Sequence, residues 1–167
     1  AKTIHVDKAN VVNRDIEHRY TICQRESKDE FIAEYLLRQK ANRGLIFCRT
    51  KAGTNALCKV LNNAGLPTAA LQGDLMQKER DKVMRAFKKG RVQFLVATDV
   101  AARGIDVEGL TFVLHHQLPE QLEYYTHRSG RTGRAGKKGA SIALIEPNEK
   151  WKIQRLESEL GVSFNEF

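Results

Sequence analysis

This sequence predicts an α/β fold, a mostly parallel sheet with helices on both faces, and three observations predict it. Short apolar runs, residues 45–48 (LIFC), 92–97 (VQFLVA) and 111–115 (TFVLH), read as strands buried on both sides. Amphipathic stretches at helical spacing separate them. This alternation of strand and helix is the signature of repeated βαβ units. At 167 residues, 41% hydrophobic and 29% charged, the chain can build one domain with a real core. Residues 1–15 are polar and mixed and read as a linker segment, leaving 16–167 as the domain. No internal repeat or low-complexity tract breaks it.

Each element has its own signal. Residues 17–24 (EHRYTICQ) alternate weakly and read as a strand. Ser27 and Glu30 form a capping-box pattern that opens a helix, with Phe31, Ile32, Tyr35 and Leu36 at helical spacing and Gly44 as its expected stop. After the strand 45–48, a helix is expected over 52–63, stopped by Gly65. Residues 68–71 form a short strand. The stretch 77–89 is expected to be helical, with Val83, Met84 and Phe87 on one face and Lys78, Arg80, Lys82, Arg85, Lys88 and Lys89 on the other. Strands 92–97 and 111–115 follow, then a helix over 120–128 and a strand over 140–145. A helix over 149–160 closes the chain, with Ile153, Leu156 and Leu160 on one side.

Composition narrows the function classes. Net charge is +8 and the pI about 9.5, which favours a polyanionic partner. The apolar runs are too short to span a membrane, and the start of the sequence has no signal-peptide pattern. Cys23, Cys48 and Cys58 are an odd set without C-x-x-C spacing, so reduced, buried thiols and a cytoplasmic setting are expected. His115 and His116 are adjacent on a strand and face opposite sides. Neither they nor His127 join a Cys or carboxylate cluster, so no metal site is expected.

In a parallel sheet the working residues sit in loops after the carboxyl ends of strands. Arg49-Thr50-Lys51 follows the strand 45–48 and opens a helix, where a hydroxyl and backbone amides suit an anion; Thr50 could equally be only an N-cap. QGDLMQKER follows the strand 68–71. Gly73 and Asp74 form its turn, and Gln77 and Arg80 stand three apart at a helix start; the plainer alternative is a solvated basic face. TDVAARGID follows the strand 92–97. There Thr98 sits at the strand end, Arg103 and Gly104 turn, and Asp106 could bind a sugar hydroxyl or merely cap or pair with an arginine. The last segment, residues 126–139 (THRSGRTGRAGKKG), carries Arg128, Arg131, Arg134, Lys137 and Lys138 without an acid. Arg131 and Arg134 would point the same way on one helical turn, and the interleaved glycines let backbone come close to what they hold. Paired guanidinium forks suit phosphate, although a basic Gly-rich surface turn would look similar.

VATDVAARGID followed by HRSGRTGRAG resembles the C-terminal RecA-like domain of DEAD-box RNA helicases. LIFCRTK and QGDLMQKER resemble that family's strand motif and Q-x-x-R motif, and the likeness runs from about Ile16 to Ile145. The family commonly has isoleucine where this chain has Ser129, and often tyrosine and aspartate near His116 and Gln117. The resemblance implies a RecA-like three-layer sandwich. It implies that Arg131 and Arg134 reach the ATP γ-phosphate and that His127 couples the nucleotide site to the other lobe. Asp106 matches the acid near the ribose, and Arg128 is structural. Thr50, Gly73, Asp74, Gln77, Arg80, Thr98 and Arg103 match the region gripping single-stranded RNA by its phosphates, independent of sequence. The chain contains no G-x-x-x-x-G-K-[ST] loop and no Asp-Glu-Ala-Asp string. ATP and Mg²⁺ are therefore expected on an N-terminal lobe of the same protein, this lobe alone being inactive and monomeric. Two other readings stay open: a nucleic-acid-binding module without a catalytic partner, and a lobe of a DNA translocase, against which the A-A-R-G-I-D string argues.

Overall fold

The computed structural model describes residues 15–103, 105, 110–133 and 138–167. Its strands are β1 (Ile16–Ile22), β2 (Gly44–Phe47), β3 (Thr68–Leu71), β4 (Phe94–Ala97), β5 (Phe112–His115), β6 (Gly139–Ile145) and β7 (Phe164–Glu166). Its helices are α1 (Lys28–Gln39), α2 (Lys51–Asn63), α3 (Gln77–Lys88), α4 (Asp99–Ala102), α5 (Tyr124–Ser129) and α6 (Lys150–Leu160). The strands form one sheet in the order β3-β4-β2-β5-β6-β1-β7, with every pair parallel.

The sheet is the middle of three layers because successive side chains of each strand face opposite ways. Ile46, Val96, Leu114, Ile142 and Leu144 pack on Ile32 and Leu36 of α1 and on Leu57 and Leu61 of α2. Leu45, Phe47, Leu95, Ala97 and Val113 face the other side, against Phe87 of α3 and Ala101 and Ala102 of α4. On that same side Tyr20, Ala143 and Ile145 meet Tyr125 of α5 and Ile153 and Leu156 of α6. The RecA-like three-layer architecture expected from the resemblance is the one observed.

Several local expectations are corrected. The Ser27–Glu30 capping box does not form: a 3₁₀ turn, Arg25–Ser27, precedes α1, and Ser27 has helical backbone and makes no side-chain cap bond. Gly44 does not stop α1. Lys40, at φ 50°, ends it in the left-handed conformation, and Gly44 opens β2. A glycine is needed there because a Cβ would lie 2.0 Å from Phe112 Cζ. α5 begins at Tyr124, not at residue 120, since residues 120–123 form turns. The strands expected at 92–97 and 111–115 begin later, at Phe94 and Phe112. The short α4 and the edge strand β7 are not among the elements expected from the sequence. Of the cysteines, only Cys48 is buried; Cys23 and Cys58 are half-buried, and all three are free.

Candidate functional site

Register sets the site. Phe47 pairs with Ala97 and His115, and Ala97 pairs with Leu71, so β3, β4, β2 and β5 end in line. Their following loops therefore emerge side by side, about 4.8 Å apart, at one edge of the sheet. Thr50, Gly73, Asp74, Gln77 and Thr98 stand in those loops or at the helix starts they feed, and Arg103 caps the far end of the one-turn α4. Asp106, Gly104 and Arg134 lie outside the described residues.

Two threonines work alike. Thr50 Oγ1 accepts from the Gly53 amide at 3.0 Å, and Thr98 Oγ1 accepts from the Ala101 amide at 3.3 Å. Each caps a helix start at a strand's carboxyl end. Capping uses the oxygen as an acceptor, and the hydroxyl hydrogen stays suited to a phosphate oxygen. Lys51, beside Asp74, bonds its carboxylate and holds it below the usual carboxylate range. This ties the β3 loop to the start of α2. Gln77 donates to Asp81 Oδ1 at 2.8 Å on the exposed face of α3.

Arg80 is not on that outer face. Three or four residues before Val83 and Met84, it is half-buried, and its guanidinium donates to Ala101 O at 3.0 Å. It braces α3 against α4 with its charge at the working edge, whereas Lys78, Lys82, Arg85, Lys88 and Lys89 are exposed.

The segment after α5 also departs from expectation. Arg131 lies beyond the end of α5 at Ser129, and its expected pairing with Arg134 lies outside the described residues. Its fork donates to Ile105 O at 2.7 Å and to Ala102 O at 3.2 Å. Gly133, at φ 67°, and Gly139 serve packing within the chain: a Cβ would meet Asp15 O at 2.6 Å and Thr132 Oγ1 at 2.0 Å.

Arg128 is the anchor of α5. It is buried, and it grips Asp99 through Nε at 2.7 Å and Nη2 at 2.6 Å. Nη1 donates to Gln117 O at 2.9 Å, and the guanidinium lies 4.8 Å from the Phe47 ring centre. The structural role that the resemblance implies for Arg128 agrees with these contacts. Below it lies a polar cluster that the sequence did not reveal. His115 Nε2 is 2.9 Å from Ser141 Oγ, Ser141 Oγ is 2.8 Å from Ser129 Oγ, and Tyr125 OH is 2.7 Å from His18 Nδ1. Burial, then the Arg128 charge, holds the His115 imidazole far below its usual range. Burial lowers His18 to about 4.

Phe47, Asp99, Val100, Arg103, Tyr124, His127, Arg128 and Arg131 line a cleft of about 260 Å³ at this edge. His127 is exposed in it, its ring 6.0 Å from Tyr124. Both Asp99 oxygens are engaged by Arg128, so the cleft's chemistry is cationic and suits phosphate rather than a metal ion. Among the described residues no His, Cys, Asp and Glu cluster is placed to hold a metal, and no helix is long and apolar enough to cross a membrane.

The chain is similar to known proteins over most of its length. The helicase conserved C-terminal domain matches residues 27–136. The ATP-dependent RNA helicase DbpA of Bacillus subtilis is 40% identical over 158 residues, covering 95% of this chain and 33% of that protein. The chain thus spans about a third of this curated relative. A DEAD box protein from the hyperthermophile Methanococcus jannaschii superposes with TM-score 0.85 at 38% identity, over 93% of this chain and 43% of that one. Dbp5 of S. cerevisiae, bound to RNA and ADP BeF3, superposes with TM-score 0.81 at 30% identity, over 92% of this chain and 41% of that one.

Proposed function

We propose, on the premise that this chain belongs to the helicase conserved C-terminal domain family and is a C-terminal lobe of the DEAD-box kind, that it works as one half of an ATP-dependent RNA helicase. The observation that carries this is the alignment of the β2, β3 and β4 loops with the Arg131 cleft along one sheet edge. That edge offers RNA the hydroxyls of Thr50 and Thr98, the guanidiniums of Arg80 and Arg103, the side-chain amide of Gln77 and the backbone amides of the Gly73–Asp74 turn, whose carboxylate Lys51 neutralises. Contacts of this kind hold phosphates without reading bases.

The nucleotide, when bound with Mg²⁺ on an N-terminal lobe, supplies the phosphoryl chemistry. This chain's part is charge and position. Arg131 and Arg134 bring guanidinium forks to the phosphates, Asp106 meets the ribose, and His127 couples the cleft to the facing lobe. Arg131 is held by two carbonyls in this structure. Exchanging neutral acceptors for charged phosphate oxygens strengthens such bonds roughly twofold, so ligand binding can displace them. Working as a soluble lobe in the cytoplasm, the chain remodels RNA only together with its partner lobe.

The test is RNA-stimulated phosphate release by the two-lobed protein. Arg134→Ala should lower it by about 10³-fold or more, the scale of an arginine finger, while ATP affinity changes much less. This chain alone should release no phosphate above background. Turnover within about threefold of the parent, about 0.65 kcal/mol in barrier, would remove Arg134 from the mechanism.

A further inference from the structure

In the polar cluster beneath α5, two hydrogen bonds at His115 have a direction that chemistry fixes. An arginine can only donate, so Arg128 Nη1, 3.3 Å from His115 Nδ1, makes that nitrogen an acceptor. The ring's proton must then sit on Nε2, which donates to Ser141 Oγ at 2.9 Å. Ser141 in turn meets Ser129 Oγ at 2.8 Å. His115 and Ser141 belong to the sheet, whereas Arg128 and Ser129 belong to α5. All four are buried.

We propose that His115 is a positioning residue: by accepting from Arg128 and donating to Ser141, it sets the seat of α5 and so the placement of His127 and Arg131 in the cleft. This rests on the helicase reading for its consequence, though not for its geometry. α5 spans six residues, too few to be stable alone, so its orientation comes from its anchors. Tyr125, Arg128 and Ser129 form its buried side, while Tyr124 and His127 line the cleft. The His115 ring stacks on Tyr125 at 4.8 Å, fixing the same helix a second time. Around His115 the titratable and charged groups are Arg128 and Tyr125 on α5, His18 on β1 and, through Arg128, Asp99 on α4. A second proton on His115 would place an N–H against a guanidinium in a site closed to water, so the ring stays neutral.

Nitrogen-15 NMR of this chain reads the claim directly. His115 should show the Nε2–H tautomer without titrating from about pH 5 to 8, where an ordinary histidine changes charge. His115→Leu should shift or broaden the His127 and Arg131 amides and leave those of α2 and β3 unmoved. His115→Asn, which keeps an acceptor near the Nδ1 position, should restore them. If His115→Leu fails to fold, Ser141→Ala gives the same readout through the other end of the link. In the two-lobed protein His115→Leu should lower kcat by about tenfold or more, the scale of a misplaced catalytic group, with KM within about twofold, and His115→Asn should recover most of it. A titrating His115, or unmoved His127 and Arg131 amides in the leucine variant, overturns the proposal. A two-lobed parent without RNA-stimulated ATPase would instead sink the helicase reading, while the amide shifts still decide the positioning role.

Discussion

Arg128→Met removes the guanidinium and keeps most of the apolar stem, and the structure sets the size of its effect. Four acceptor atoms lose their donor: both Asp99 oxygens, Gln117 O and His115 Nδ1. Removing one partner of a fully buried ion pair costs about 3–5 kcal/mol. The Asp99 side chain, however, is 41% exposed against 3% for Arg128, so the orphaned carboxylate rehydrates and the ion-pair cost falls below that range. Gln117 O and His115 Nδ1 add about 1 kcal/mol each. The expected loss is therefore about 3 kcal/mol, a fall in Tm of roughly 6–12 °C for a chain of this size. Arg128→Lys keeps the charge without the fork and should recover no more than about 1 kcal/mol. Urea unfolding of this chain at neutral pH, with the exposed Arg91→Met as a control expected within about 0.5 kcal/mol, measures all three. A loss under about 1 kcal/mol for the methionine variant, or a lysine variant as stable as the parent, would refute Arg128 as the anchor of α5.

Two further outcomes follow from particular groups. Burial lowers His18 from 6.5 to about 4, so the folded state prefers the neutral ring. Its contribution is full above the unfolded value of 6.5 and is lost as pH falls from there toward about 4, on the order of 3 kcal/mol, with His115 acting in the same direction. A urea midpoint that stays constant between those limits would contradict this. In RNA binding, Arg80→Ala should shallow the log–log salt slope by about 0.7 and weaken all sequences alike. Lys88→Ala, about 12 Å further along α3, should matter less. Fluorescence anisotropy over a salt series checks the pair, and equal losses would favour a merely basic surface.

The layered sheet was legible because apolar runs such as LIFC leave no polar face, and Thr50, Gly73 and Thr98 do stand after the carboxyl ends of strands, where the sequence puts them. Element ends were harder to read. Gly44 looks like a helix stop, yet what requires a glycine is the Phe112 ring, 68 residues later in the sequence. Lys40 took the left-handed position instead, because its backbone amide could close on Leu36 O and Leu37 O. Arg80 departs from its expected face for a similar reason. Helical periodicity puts a cation outside by default, but a long side chain on the inner flank can reach the Ala101 carbonyl. The His115–Ser141–Ser129 link was invisible, since its members come from three separate segments and carry no local pattern.

We propose that RNA meets this chain along the carboxyl edge of the sheet. An amide NMR titration of this chain with single-stranded poly-U and a mixed-sequence oligonucleotide tests it most directly. Shifts are expected at Thr50, Gly73, Asp74, Gln77, Thr98 and Arg103, the same for both RNAs and fading with salt. Shifts concentrated instead on the outer face of α3, at Lys78, Lys82, Arg85 and Lys88, or a pattern that changes with base sequence, would contradict it.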